Sequence, residues 1–414
     1  MKSALAVLFL VAVAGGVYAQ DELGEERKFN LRMEYSFDLY DPDFVDAENL
    51  SQMSMFATDL PTALIDWGVR AAFEDPFREK SAIIFFGFVR LLANYYDRAI
   101  AISEHEEGHL LQCRKAGIDR ENAVFIYEDG HQSRTQSFLD TFKAVVDNSW
   151  GVNGVSVSVD REGWAEFFSR PENLAHFHEL MASFEAGGLN QEQYSLRKRN
   201  ERILSGEAHV LDFAPWLRYS IATLNYENSD IDDYLHELKF LGVNSSVGHV
   251  KNVQWLKFAG ASAITLYAGI YNFIADRNPM VRPLGVPLPD FASFLSIHGP
   301  TLAVNVTGIA LDKLAIEPNV QFAIDDAKRE EYGLRLKWTG GIFGLSVAVF
   351  LNRSGGNWVD GKAFFRPTEW LEIGVGGEGG RGFTFEREVS GKTFTFLESR
   401  EFHPELSIGI NLRF

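Results

Sequence analysis

The sequence predicts an α+β protein: a mainly helical part over residues 20–290, then an antiparallel β-barrel of about eight strands over residues 291–414. Three observations carry this. Apolar residues recur at helical spacing, with capping residues between the runs, through the first two thirds of the chain. From Thr301 onward the apolar residues alternate with polar ones instead, and the 34 phenylalanines include several of that alternating kind. The third is composition: 46% hydrophobic and 23% charged residues over 414 positions give ample material for a buried core and exclude a disordered chain. With 57 acidic against 39 basic residues the formal net charge is −18, which argues against a nucleic-acid partner. A single cysteine excludes an internal disulfide or a cysteine-built metal cluster.

Taken in order, Met1-Lys2-Ser3, the apolar run to Ala14, Gly15-Gly16 and Val17-Tyr18-Ala19 read as a secretory signal peptide over residues 1–19. Its apolar core is short for a membrane span. Pro61 marks the start of a helix through Ala72, and a longer helical pattern runs from Glu79 to Ala116, stopped by Gly117. Asn122–Tyr127 and Val155–Val159 read as short strands, with a helix over Ser133–Asp147 between them. Pro171 opens a helix to Glu185 that Gly187-Gly188 ends; Asn190 with Gln193 signals the start of the next, which reaches Gly206. Ser229 with Asp232 repeats that signal before a short helix to Leu241. Val253–Ile274 is nearly continuous apolar sequence, long enough to span a membrane but interrupted by Lys257, and is read first as a buried core helix. Pro279, Pro283, Pro287 and Pro289 then mark a linker.

In the C-terminal part, Leu334, Leu336 and Trp338 alternate with Arg335, Lys337 and Thr339. Leu345, Val347, Val349 and Leu351 share one face after the Gly340-Gly341 turn, and Leu371, Ile373 and Val375 continue the pattern. Phe383, Phe385, Phe394 and Phe396 flank a hairpin at Ser390-Gly391. Leu406, Ile408, Ile410, Leu412 and Phe414 form one face of the last strand. Alternation alone fits a soluble barrel or a membrane barrel turned inside out. The terminal Phe414 and aromatics near the strand ends (Trp338, Trp358, Trp370) favour the membrane, so an outer-membrane barrel is expected.

The chemical signal is His105-Glu106-Glu107-Gly108-His109, an H-E-x-x-H pattern inside the long helix. Residues four apart share a helix face, so both imidazoles can meet one zinc ion. Glu106 stands beside them as a general base for water activated by the metal. Gly108 lacks a side chain and permits another element to approach closely.

The segment EHEEGH resembles the active-site helix of zinc metallopeptidases of the zincin group. The residues after His109 (Leu110, Leu111, Gln112, Cys113) lack the metzincin extension, so the resemblance is to the gluzincin kind. It covers little beyond residues 100–117, and it implies an acidic third ligand on a downstream helix. Glu192 is the first choice for that ligand, after the glycine-rich AGGLN entry; Glu185 is second and Glu179 third. His176 and His178 are two apart and do not share a face. His131 and Tyr194 are further candidates for contact with a ligand or an oxyanion, and Cys113 lines the region as a small hydrophobe. The expectation is an exported zinc-dependent hydrolase of the bacterial envelope, a metallopeptidase with a peptide or envelope-protein substrate. It would be held at the outer membrane by its barrel with a domain facing the periplasm, or be soluble in the periplasm. The competing reading is a non-enzymatic outer-membrane barrel with a helical plug or docking domain.

Overall fold

The computed structural model describes residues 30–38, 46–93, 95–148, 155–224, 229–266, 288–307, 309–311, 313–325, 330–353, 356–381, 383–389, 392–398 and 403–413. The signal-peptide segment, the prolines through Pro287, the Ser390-Gly391 turn and Phe414 lie outside the described residues. Strand β1 (Asn30–Asp38) precedes helices α1 (Ala47–Ala72), α2 (Pro76–Leu92) and α3 (Tyr95–Lys115). A small sheet follows, made of β2 (Ala123–Tyr127), β3 (Gln132–Ser133) and β4 (Val155–Val159), with α4 (Phe138–Asp147) between the last two. Next come α5 (Arg161–Ser169), α6 (Pro171–Ala175), α7 (Phe177–Ser205), α8 (Phe213–Leu224), α9 (Ser229–Phe240) and α10 (Val247–Leu266). The large sheet adds β5 (Leu288–Ser296), β6 (Gly299–Thr307), β7 (Ile309–Leu311), β8 (Leu314–Ala323), β9 (Glu330–Gly340), β10 (Phe343–Asn352), β11 (Asn357–Thr368) and β12 (Leu371–Arg381). A hairpin of β13 (Phe383–Val389) and β14 (Lys392–Glu398) precedes β15 (His403–Arg413).

The helix expected over Ser133–Asp147 starts at Phe138, the one over Pro171–Glu185 is broken at His176, and the one expected from Val253 starts at Val247. Three further boundaries differ from the sequence pattern, each for a local reason. α1 starts at the Asp46 cap and runs through Pro61. The carbonyl that proline leaves without its helical donor, that of Ala57, accepts the Tyr96 hydroxyl at 3.0 Å instead. The single helix expected over Glu79–Ala116 is two, α2 and α3, with Ala93 capping the first. Gly187-Gly188 does not end a helix, and Asn190 does not begin one; α7 is continuous across them. The glycines are there for packing. A Cβ on Gly108 would lie 2.5 Å from the Gly187 carbonyl oxygen, and one on Gly187 would lie 2.6 Å from that of Gly108. α3 and α7 therefore cross backbone to backbone.

Around this crossing, Glu104 of α3 is fully buried and gathers donors from three helices: Ser54 of α1 at 2.6 Å, Gln191 and Ser195 of α7, and Tyr219 of α8 at 2.7 Å. Its neighbour Glu107 is clamped from the other side by Arg120, at 2.7 Å, and by Thr141 of α4. A buried carboxyl stays in a core only when its oxygens are satisfied, so both contacts fix the rotation of α3 about its axis.

The large antiparallel sheet has ten strands among the described residues, in the order β1-β15-β12-β11-β10-β9-β8-β6-β5, with β7 on β8. Its apolar alternates, among them Leu334, Leu336, Leu345, Val349, Leu351, Ile373, Val375 and Ile408, are exposed. The opposite face carries the ion pairs Lys337–Glu317, Arg335–Asp360, Arg366–Glu372 and Arg32–Glu372, whose carboxylates are less exposed. Closing such a path into a barrel requires its two ends to pair, and β1 and β5 do not pair. The outer edge of β5 is occupied: Leu295 N–H donates to Asn190 Oδ1 at 2.7 Å, Asn190 Nδ2 donates to the Leu295 carbonyl at 2.8 Å, and the Tyr234 hydroxyl takes the Ser296 carbonyl at 2.6 Å. Helices α7 and α9 thus cover the edge that a barrel would need. The β-barrel expected over residues 291–414 is corrected to an open sheet. The outer-membrane placement, which rested on closure satisfying every strand edge within lipid, is withdrawn with it. The reading as a barrel with a helical plug falls on the same ground. No described helix is long and apolar enough to cross a membrane.

Candidate metal centre

His105 and His109 lie on one face of α3 because they are four residues apart in an unbroken helix. Their ring nitrogens are sorted by what surrounds them. His109 Nδ1 meets the Phe184 carbonyl oxygen at 2.7 Å, and a carbonyl only accepts, so the proton sits on Nδ1. His105 Nδ1 meets Glu192 Oε1 at 2.9 Å, an acceptor of the same kind when ionised. Both Phe184 and Glu192 come from α7, brought within reach by the glycine crossing. A Cβ on Gly188 would fall 2.4 Å from His105 Nε2, so the same stretch of helix also makes room for the ring.

With each Nδ1 engaged, the two Nε2 atoms turn to each other at 3.2 Å. Asp230, in the first turn of α9, places Oδ2 3.2 Å from His105 Nε2 and 3.5 Å from His109 Nε2. Ligands held at zinc distances in a tetrahedral shell stand about 3.3 Å apart. The His105, His109 and Asp230 edges match that spacing, and these three side chains form a group suited to hold a metal ion. Metal-ligating histidines characteristically donate their other N–H to a carboxylate or a backbone carbonyl, as Glu192 and Phe184 accept here. The histidines are buried, whereas the Asp230 side chain keeps 20% exposure, leaving an opening toward solvent.

The electrostatics ask for positive charge at this point. Burial opposes the charged form of His105, but hydrogen bonds to Asp230 and Glu192, with Glu106 nearby, outweigh it and push its pKa up to about 10. Burial acts against the Asp230 anion, yet its hydrogen bonds with both histidines hold its carboxyl far below the usual range. Glu106 is raised by burial, with the histidines pulling against that. Two neutral Nε2 lone pairs facing each other beside three carboxylates are unfavourable without a proton or a cation among them.

The remaining sequence candidates fall as follows. Glu106 is buried next to the histidines and accepts the backbone N–H of Val157 in β4. Glu192 sits on the Nδ1 side of His105, and the carboxylate grouped with the two Nε2 atoms is that of Asp230. Glu185 borders His109 and Asp230 and is pushed up to about 7 by burial. Glu179 pairs with His176 at 2.9 Å and His178 with Glu237 at 2.6 Å. Tyr194 donates to Glu48, away from the histidines, and His131 stacks on Tyr127 in the small-sheet loop. Cys113 packs with Ala116, Ile118, Val159 and Phe167, and burial pushes its thiol up to about 12. Asp230 was missed because it reads as an ordinary first-turn acid; the excess of acids in Ser229-Asp230-Ile231-Asp232-Asp233, beyond what capping needs, is the signal that marks it.

Comparison with protein-family models, with curated proteins and with solved structures finds no match to this chain.

Proposed function

We propose that this chain is a zinc-dependent hydrolase acting on peptide bonds, with His105, His109 and Asp230 holding the metal and Glu106 as general base. The observation that carries it is the convergence of two Nε2 lone pairs and Asp230 Oδ2, spaced at 3.2–3.5 Å, beside the Glu106 carboxylate. When bound, the metal supplies Lewis-acid polarisation of a carbonyl and lowers the pKa of water. Glu106 takes a proton at its carboxylate during attack and returns it to the leaving nitrogen; its burial favours the protonated form it passes through. Glu192 and the Phe184 carbonyl keep the imidazoles in the orientation and tautomer the site needs.

A peptide substrate is favoured by β4. The small sheet has the order β3-β2-β4, so β4 is an edge strand. Asp160 N–H bonds Asn122 on the β2 side, and alternate residues point alike, so Val155, Val157 and Val159 turn their backbone groups to the outer edge. Glu106 meets that edge at Val157. An extended peptide pairing there lies across the histidines, with main-chain bonds giving affinity independent of sequence.

The test is metal content and peptide hydrolysis together. Wild type is expected to hold one zinc, and His105→Ala or Asp230→Ala to lose it. Glu106→Gln should retain zinc while hydrolysis falls about 10²-fold or more. Wild type and His105→Ala with equally negligible metal after incubation with zinc would sink the proposal.

A further inference from the structure

The buried and half-buried arginines of the helical half are mostly matched to acids: Arg90 to Asp97 at 2.9 Å, Arg202 to Asp59, Arg120 to Glu107. Arg98 and Arg218 are not. The Nε of each is buried without a hydrogen-bond partner, and no carboxylate among the described residues forms an ion pair with either. The two are also neighbours: burial first, and then the charge of Arg98, lower Arg218 from its ordinary value. Glu192 and Asp97 act on Arg218 through space, but neither forms an ion pair with it, and two like charges held close with no direct ion pair are unfavourable.

Their place in the fold ties them to the metal centre. Arg98 stands seven residues before His105 on α3, nearly two whole turns, so it shares the histidine face about 10 Å along the axis. Arg218 reaches in from α8, beside the Tyr219 that bonds Glu104, and feels the charge of Glu192, which holds His105. Both side chains are half-buried, as is Ile102 between Arg98 and His105 on the same face, so the approach remains open to solvent. A planar, always-charged fork from each of two helices suits a carboxylate, which accepts two parallel N–H bonds from either.

We propose that Arg98 and Arg218 form a subsite for a carboxylate of the substrate, on the α3 face that carries His105. The proposal rests on the hydrolase reading for its position. An extended peptide advances about 3.4 Å per residue, so a C-terminal carboxylate held there lies about three residues beyond the bond that is cleaved.

The experiment measures equilibrium binding of three labelled peptide pools to the zinc-loaded Glu106→Gln protein, which binds without turnover. One pool has a free C-terminal carboxylate and no Asp or Glu, one is the same pool amidated, and one is amidated but carries a single Asp or Glu. Binding of the free-acid pool at least about tenfold tighter than the neutral pool supports a C-terminal carboxylate; the same preference for the third pool supports a side-chain carboxylate. Added Arg98→Gln and Arg218→Gln, on separate helices, should each erase the preference and leave neutral-pool affinity unchanged. Lysine at either position should restore it in part. Equal binding of all pools, absent binding included, overturns the subsite, as does a preference that survives both glutamine changes. Zinc content and hydrolysis are read on the matching proteins with Glu106 intact. Acid-selective binding without zinc or turnover overturns the hydrolase reading alone. Zinc-dependent turnover without acid selectivity overturns the subsite alone.

Discussion

Glu192 and Asp230 both touch His105, but on opposite ring nitrogens, and this separates their expected effects. Asp230→Ala removes a donor from the metal-facing side and should abolish stable binding. Glu192→Ala leaves the three donors in place but frees the imidazole, so zinc affinity should weaken by about 10- to 100-fold without being lost. A chelator competition series on the two variants measures this, and the reverse order would exchange the two roles. His105, His109 and Glu106 are legible in the sequence because their relation is local, one helical turn. Asp230 is 125 residues from His105 along the chain, and the only local mark it carries is the excess of acids around it, which does not point to a partner. A second residue reports on the core beneath the sheet edge. Asp290 is fully buried and pushed up to about 7, chiefly by that burial. Between its unfolded value of about 4 and the folded value, the native state binds a proton that the unfolded chain has released. Stability from this group is therefore present at low pH and falls as pH rises from about 4 to about 7. Urea unfolding of wild type and Asp290→Asn across that window should show a flatter pH dependence in the variant, and an unchanged slope would remove Asp290 as its source.

The helix pair α3–α7 shows what sequence punctuation does and does not determine. Gly117 and Gly206 end their helices at positive φ, 74° and 76°, where glycine is favoured for its backbone freedom. Gly187 and Gly188 have the same chemistry in sequence but lie mid-helix, where the missing side chain rather than the backbone freedom is used. Only the partner, Gly108 on a distant helix, tells the cases apart. Alanine at Gly108 gains helix propensity of about 1 kcal/mol but puts a methyl against the Gly187 carbonyl at 2.5 Å, a backbone atom that cannot step aside. Gly108→Ala should therefore destabilise by about 1–3 kcal/mol. It should also weaken zinc affinity, because the bonds from His105 and His109 to α7 span the crossing. Gly68, in α1 with nothing within 4 Å of an added Cβ, is the control: Gly68→Ala should stabilise by up to about 1 kcal/mol. Thermal denaturation and zinc titration of the two variants measure both effects; equal behaviour would mean that the crossing is not tightly packed.

Across the whole molecule, alternation identified which faces of the strands are apolar, and those side chains do share an exposed face; it carried no information about whether the strand path closes. Closure is decided at β5, by side chains from helices more than sixty residues earlier in the chain, and by β1, which enters the sheet at β15 from the far end of the sequence. The same contacts join the two halves. β1 leads into α1, which supplies Ser54 to Glu104, the residue before His105 on α3, while Asn190 lies two residues before Glu192 on α7 and bonds both backbone groups of Leu295. Asn190→Ala removes both bonds and leaves a part-buried N–H and C=O without partners, at a cost of about 1–3 kcal/mol each. The loss falls on sheet and metal centre together, since one helix carries both contacts. Chemical denaturation followed by far-ultraviolet circular dichroism, which registers the sheet and the helices, and by zinc release, which registers the centre, should therefore give coincident midpoints in wild type. Both midpoints should shift to lower denaturant by the same amount in Asn190→Ala. Zinc release that keeps its wild-type midpoint while the circular dichroism transition moves would show that the helical half holds its site independently of the sheet it covers.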